Sequence, residues 1–134
     1  NGKNYITFMP RDQDLGNEPQ FKWTKPSIVV MSESNYSDAH MFPYTYRALG
    51  IGKLLGMPVP GTGTAVWWER LQNGMVFGIP QVGMVDVDGD YLENKQLEPD
   101  IKVSNDPGEV IKGRDQQLEE AVKEMLKQTK VKRS

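Results

Sequence analysis

Between residues 27 and 50 the sequence turns directly from a strand into a helix, and this junction limits the possible folds more than any other feature. Ser27-Ile28-Val29-Val30-Met31-Ser32 is a short continuous apolar run. Its length and β-branching predict a strand buried on both faces. Ser34-Asn35-Tyr36-Ser37-Asp38 follows at once with turn and helix-start chemistry. Ala39 to Leu49 then reads as a helix, with Met41, Tyr44, Tyr46 and Leu49 near helical spacing. Pro43 fits such a helix only in its first turn or two. Gly50 supplies the C-terminal stop. Strand, tight turn and helix in this order form the unit of an α/β domain.

The flanking segments are more β-like. Tyr5 to Met9 reads as a short strand and Arg11 to Gln20 as an irregular loop. Lys53 to Met57 is a short apolar stretch, and Pro58 to Thr64 is rich in Gly and Pro. Ala65 to Leu71 is strand-like, and Asn73-Gly74 signals a hairpin of the primed type. Met75 to Ile79 returns as a strand that Pro80 closes, and Gln81 to Val87 reads as a further short strand. In the last helix Leu118, Ala121, Val122, Met125 and Leu126 recur at i, i+3, i+4, i+7 and i+8. Asp115 stands at its N-cap, and Lys123, Lys127 and Lys130 suit the negative end of its dipole. Thr129 to Ser134 is a basic tail expected to fray.

Composition narrows the function classes. A length of 134 residues allows about one domain. With 37% hydrophobic residues, three Trp and four Phe, the chain can build one thin core and is too apolar for disorder. A net charge of −2 without a basic stripe before the tail argues against a nucleic-acid partner. No run of about 18 apolar residues exists to span a membrane. With no cysteine there is no disulfide scaffold, thiolate zinc site or cysteine nucleophile, and the compartment stays open. Asn1-Gly2-Lys3-Asn4 carries no initiator Met and no signal-peptide apolar region, so the chain reads as a piece of a longer protein.

Several residues could carry chemistry. Ser37 lies just after a strand and just before a helix, where backbone N–H groups and the helix dipole favour a developing oxyanion. A nucleophilic serine also needs a base and an orienting group. A helix N-cap accounts for the same serine with no chemistry at all. His40, the single histidine, follows three residues later on the same helix. A base normally arrives from another element, so His40 reads rather as a solvated or pocket-edge side chain. Glu93, after the Asp88-Gly89 turn, is placed either to orient a base or simply to face solvent. Asp86-Val87-Asp88-Gly89-Asp90 lacks the calcium-loop spacing and reads as a hairpin turn. Gly50-Ile51-Gly52-Lys53 lacks the spacer and the hydroxyl residue of a phosphate loop. Of the adjacent Trp67 and Trp68, one is expected in the core and the other along a groove.

Three groups of residues, in order, carry a resemblance. The first is Ile28-Val29-Val30-Met31-Ser32-Glu33 with Ser34-Asn35-Tyr36-Ser37-Asp38-Ala39. The second is Leu49-Gly50-Ile51-Gly52-Lys53-Leu54-Leu55-Gly56 with Gly61-Thr62-Gly63. The third is Leu92-Glu93-Asn94, then Leu97-Glu98-Pro99-Asp100-Ile101, and later Gly113-Arg114-Asp115-Gln116-Gln117-Leu118. Together they resemble the catalytic domain of the tail-specific (C-terminal processing) serine peptidases, the tricorn-like branch most closely. The resemblance runs from about Ser27 to Leu126.

The resemblance implies a crotonase-like α/β superhelix of β-β-α units. It implies Ser37 as nucleophile, the Asp38 backbone N–H as part of the oxyanion hole, and Glu93 as the acid that supports a catalytic histidine. It implies no metal and no organic cofactor. The other branch of the family uses a Ser–Lys dyad, its Lys between two glycines; here Gly61-Thr62-Gly63 holds Thr62 instead, so that dyad cannot form. Two features depart from the family. Lys95-Gln96 stands where a Gly is usual after the Glu-Asn pair, so the backbone there is expected to avoid positive φ. The family's histidine and second oxyanion donor lie upstream of the nucleophile, where this chain has no His.

The expected organisation is therefore threefold. Residues 1–26 form an irregular N-terminal segment, residues 27–128 the C-terminal part of the catalytic domain, and residues 129–134 the basic tail. The expected activity is peptide-bond hydrolysis through an acyl-enzyme, with the isolated chain nearly inert for want of its base. The expected partner is a peptide or protein substrate, with self-association through apolar surface that the rest of the protein would cover. The resemblance favours a periplasmic or extracellular compartment over the cytoplasm. The alternative is a non-catalytic peptide-binding module on the same fold, holding an extended strand beside Trp67 and Trp68. Acyl-thioester chemistry is a third reading, but no residue pattern asks for a coenzyme A pocket.

Overall fold

The computed structural model describes residues 6–8, 16–18 and 21–131; for 6–8, 16–18, 130 and 131 it describes the backbone only. In chain order the elements are β1 (Ile6–Phe8), β2 (Gly16–Glu18), β3 (Ile28–Met31), α1 (Asp38–Ala48), β4 (Lys53–Gly56), β5 (Thr64–Arg70), β6 (Val76–Gly83), β7 (Ile101–Lys102), α2 (Pro107–Val110) and α3 (Gln116–Val131). The anticipated α/β class holds. β3, β4 and β7 form a parallel sheet with β4 in the centre, Ile28 opposite Lys53 and Leu55 opposite Ile101. Parallel pairing needs a crossover, and α1 supplies it between β3 and β4.

The core gathers around the central strand. Leu54 and Leu55 are fully buried, and Met31, Tyr46, Val59 and Leu97 pack with Leu54. α1 stops where Gly50 predicts. Gly50 N–H donates to Arg47 O at 2.9 Å and Ile51 N–H to Tyr46 O at 3.1 Å, the paired bonds of a Schellman stop. Pro43 lies in the second turn of α1 and cannot donate to the carbonyl of Ala39. Asn35 Nδ2 donates to that carbonyl instead, at 3.3 Å. Asp115 Oδ1 accepts from Leu118 N–H at 2.9 Å and caps α3 as expected.

Several expectations need correction. β3 is not buried on both faces: it lies at the edge of its sheet among the described residues, and Val30 is exposed. Within Arg11 to Gln20, Gly16–Glu18 pairs antiparallel with β1, so hydrogen bonding overrides loop composition there; the neighbouring positions lie outside the described residues. The β5–β6 hairpin forms, but Gly74 alone among its turn residues has positive φ, at 85°. A primed turn needs positive φ at its first central residue, here Asn73, which lacks it. The connection is a three-residue loop, Gln72-Asn73-Gly74, closed by Leu71 N–H to Met75 O at 2.8 Å. Pro80 does not end its strand. It sits opposite Val66 at a register shift, the kind of place where a strand tolerates proline, and the strand continues to Gly83. α3 reaches Val131, through the start of the expected tail. Leu118, Val122 and Leu126, read as its core face, are about half exposed, while Ala121 and Glu124 are buried.

Candidate active site

Ser37 occupies the N-cap position of α1, but its hydroxyl makes no capping bond. Its backbone lies at φ 53° and ψ −123°, where L residues rarely sit, whereas a capping serine is ordinarily extended. Simple capping therefore does not account for it. Such strain persists only where the surroundings over-determine it, and it gathers at functional sites. The carbonyl of Ser37 accepts from His40 N–H at 2.8 Å and Met41 N–H at 3.1 Å, and its own N–H donates to Thr62 Oγ1 at 3.0 Å. The serine is exposed. A strained strand-to-helix serine of this kind lifts its hydroxyl clear of the chain. Among the described residues, the next N–H, that of Asp38, has no acceptor and stands at the positive end of α1.

Glu93 comes from a loop that is laced to the segment after β4. Val59 and Leu97 exchange both backbone bonds, at 3.0 and 2.9 Å. Asn94 N–H donates to Gly61 O at 2.9 Å, and Gly63 N–H to Glu93 Oε2 at 2.6 Å. The two strips lie so close that only glycine fits at two positions. A Cβ on Gly61 would strike the Asn94–Lys95 backbone, and one on Gly63 would stand 2.7 Å from Glu93 N. The positive φ falls on Asn94, at 59°, and Lys95 and Gln96 avoid it as anticipated. Asn tolerates that conformation better than most residues.

A cleft of about 560 Å³ opens between these pieces. Ser37, Asp38 and Glu93 all line it, with Thr62, Met41, Met84 and Trp68. His40 does not. It is 1% exposed, so it is neither solvated nor at the edge of the cleft. Its Nδ1 lies 3.4 Å from Thr62 O, and it lines a separate cavity of about 120 Å³ with Tyr44 and Leu92. Trp67 and Trp68 are 47% and 72% exposed on a two-stranded ribbon, so neither is a core residue. Trp68 does line the cleft.

Thr62 is the residue that sequence reasoning missed. It touches the Ser37 amide through its hydroxyl and His40 through its carbonyl. The flanking glycines were its only signal. The Asp-rich turn is closed by its own bonds. Asp86 Oδ1 accepts from Asp88 and Asp90 N–H, and Lys95 Nζ reaches Asp86 Oδ2 at 3.1 Å and Asp90 Oδ2 at 2.9 Å. The Asp90 N–H, then Lys95, holds the Asp86 carboxyl below its usual range. Among the described residues no cluster of His, Cys, Asp or Glu could hold a metal ion, and no helix is long and apolar enough to cross a membrane.

A parallel α/β sheet with a strained serine at the head of its crossover helix, and a carboxylate lining the same cleft, fits a serine-peptidase domain. Residues 2–103 match the model of peptidase family S41, and the chain belongs to that family. It is 26% identical over 121 residues to the tricorn protease of Thermoplasma acidophilum, covering 89% of this chain and 11% of that protein. It is 29% identical over 116 residues to tricorn protease homolog 1 of Streptomyces coelicolor, covering 85% of this chain and 11% of that protein. The crystal structure of the tricorn protease superposes with a TM-score of 0.76 at 25% identity, over 94% of this chain and 12% of that one. Mature CPAF shares the fold, with a TM-score of 0.58. The chain thus spans about a ninth of the length of these tricorn relatives, and its fold is a part of the S41 peptidase fold.

Proposed function

We propose that the protein carrying this chain is a serine peptidase that cleaves peptide or protein substrates through an acyl-enzyme. Ser37 Oγ attacks the scissile carbonyl carbon and gives its proton to a base. The carbonyl oxygen becomes an oxyanion, held by the Asp38 N–H at the head of α1. Collapse of that intermediate expels the amine, which takes the proton back, and water then hydrolyses the Ser37 ester. Glu93 accepts a hydrogen bond from the base and favours its charged form. His40, buried outside the cleft, is not that base. The base is a histidine supplied by another part of the protein. The chain alone is therefore nearly inert, because a serine without its base loses several powers of ten in rate.

The observation that carries this reading is the backbone of Ser37, strained and free of any capping bond at the mouth of the cleft. A module that only binds peptides needs neither that strain nor Glu93. The test is fluorophosphonate labelling of the full-length protein and of this chain, read by intact mass and peptide mapping. Labelling at Ser37 in the full-length protein, absent or far slower in the chain, is the expected result. A Ser37→Ala protein that still cleaves peptides would remove Ser37 as the nucleophile, and a wild type that neither labels nor cleaves would turn the reading toward a binding module.

A further inference from the structure

We propose that Thr62 is a positioning residue for Ser37, and that its hydroxyl is what sets the nucleophile's conformation; this rests on the peptidase reading above. The local chain does not by itself hold a serine at φ 53°. The bonds from His40 and Met41 to the Ser37 carbonyl form one side of the restraint, and these come with the helix. The other side is the Ser37 amide, whose only acceptor among the described residues is Thr62 Oγ1 at 3.0 Å, 25 residues away in sequence. Rotation of the Ser37 peptide toward an ordinary extended cap would break that bond.

Thr62 is itself held from three directions. Its carbonyl accepts from buried His40 at 3.4 Å when Nδ1 carries the proton. Gly61 O and Gly63 N–H, on either side, are bonded to Asn94 and Glu93. The triplet is thus a strut with the nucleophile turn on one face and the acid loop on the other. The bond also assigns the two amides at the head of α1. Ser37 N–H is taken by Thr62, which leaves the N–H of Asp38, a residue that lines the cleft, as the one without an acceptor among the described residues.

This arrangement predicts that the hydroxyl controls rate rather than substrate affinity, because it is engaged by the amide of the attacking residue. Thr62→Val keeps the shape and removes the acceptor; Thr62→Ser restores it. In the full-length protein, Thr62→Val is expected to lower kcat about 10- to 100-fold with KM within about twofold, and Thr62→Ser to recover most of the rate. In this chain, the Ser37 amide should lose hydrogen-exchange protection in Thr62→Val and regain it in Thr62→Ser, with the melting temperatures showing that both variants fold. A wild-type kcat in Thr62→Val, or unchanged protection of the Ser37 amide, would overturn the inference. If wild type cleaves nothing and Ser37 never labels, the peptidase reading fails instead, and the exchange experiment still decides whether Thr62 sets the Ser37 backbone.

Discussion

The Glu93 carboxylate accepts the backbone N–H of Gly63 at 2.6 Å, across 30 residues of chain. One carboxylate oxygen is thereby used to hold the acid loop against the strut, and the group still lines the cleft. Structure and chemistry share one side chain, and substitution can separate them. Glu93→Gln keeps an amide oxygen for Gly63 and loses the charge. It is expected to melt near wild type while the full-length protein loses about 100-fold or more in kcat. Glu93→Ala should be slow as well, and should also lose about 1–3 kcal/mol because the buried Gly63 N–H has no acceptor. Equal melting temperatures for the two variants would show that the bond holds nothing together.

Gly63→Ala tests the same contact from the other side. The added Cβ would stand 2.7 Å from Glu93 N and 2.8 Å from the Cβ of Leu92. Neither is the far end of a flexible side chain, so the acid loop must move. The expected loss is about 1–3 kcal/mol in urea unfolding, together with slower labelling of Ser37 in the full-length protein. A Gly63→Ala protein as stable as wild type would mean that the two strips are further apart than described.

What could be read in the sequence was local. The β3–α1 junction, the Gly50 stop, the β5–β6 hairpin and the Asp115 cap each depend on residues within one turn of each other. What could not be read depends on distant pairs. The edge position of β3 is decided by which strands pair with β4, and the exposure of Trp67 and Trp68 by the absence of a described layer over their ribbon. The motif residues divide in the same way. Ser37, Asp38 and Glu93 meet at the cleft. Asp100 does not: its Oδ2 accepts Leu54 N–H at 2.7 Å and clamps the central strand. Arg114 and Gln117 also serve the fold, Arg114 bridging Glu109 to Glu119 and Gln117 Nε2 donating to Val103 O at 2.8 Å. Spacing alone cannot separate a motif residue that reacts from one that braces.

The face of α3 against the sheet gives a pH dependence. Lys53 Nζ donates to Glu124 Oε1 at 2.7 Å, and that bond is the main reason the Glu124 carboxyl sits below the ordinary Glu value of 4.5. The folded state then holds its proton less tightly than the unfolded state does. The stabilisation is complete above pH 4.5 and is lost as pH falls through the lower, folded-state value. Asp115 acts in the same direction, chiefly through Leu118 N–H, as do Glu109 through Lys112 and Glu119 through Arg114. The melting temperature is expected to fall below pH 4.5, and less steeply in Glu124→Gln. A Glu124→Gln curve parallel to wild type through the acid range would remove Glu124 from this account.

Ser37 makes the sharpest prediction about stability, because the nucleophile position should be a better place for glycine than for serine. A residue other than glycine held in a sparsely populated region costs of order 1–3 kcal/mol. Glycine adopts the same backbone at no steric cost, and its extra freedom in the unfolded chain takes back about 0.5–1 kcal/mol. Ser37→Gly is therefore expected to stabilise this chain by about 1 kcal/mol, while Ser37→Ala, which keeps a Cβ at φ 53°, gains nothing. Both variants remove the hydroxyl, so both should abolish labelling of the full-length protein at that position. Urea unfolding of wild type, Ser37→Ala and Ser37→Gly separates the backbone effect from the chemical one. A glycine variant no more stable than the alanine variant would mean that Ser37 is not strained, and the main support for its role as nucleophile would go with it.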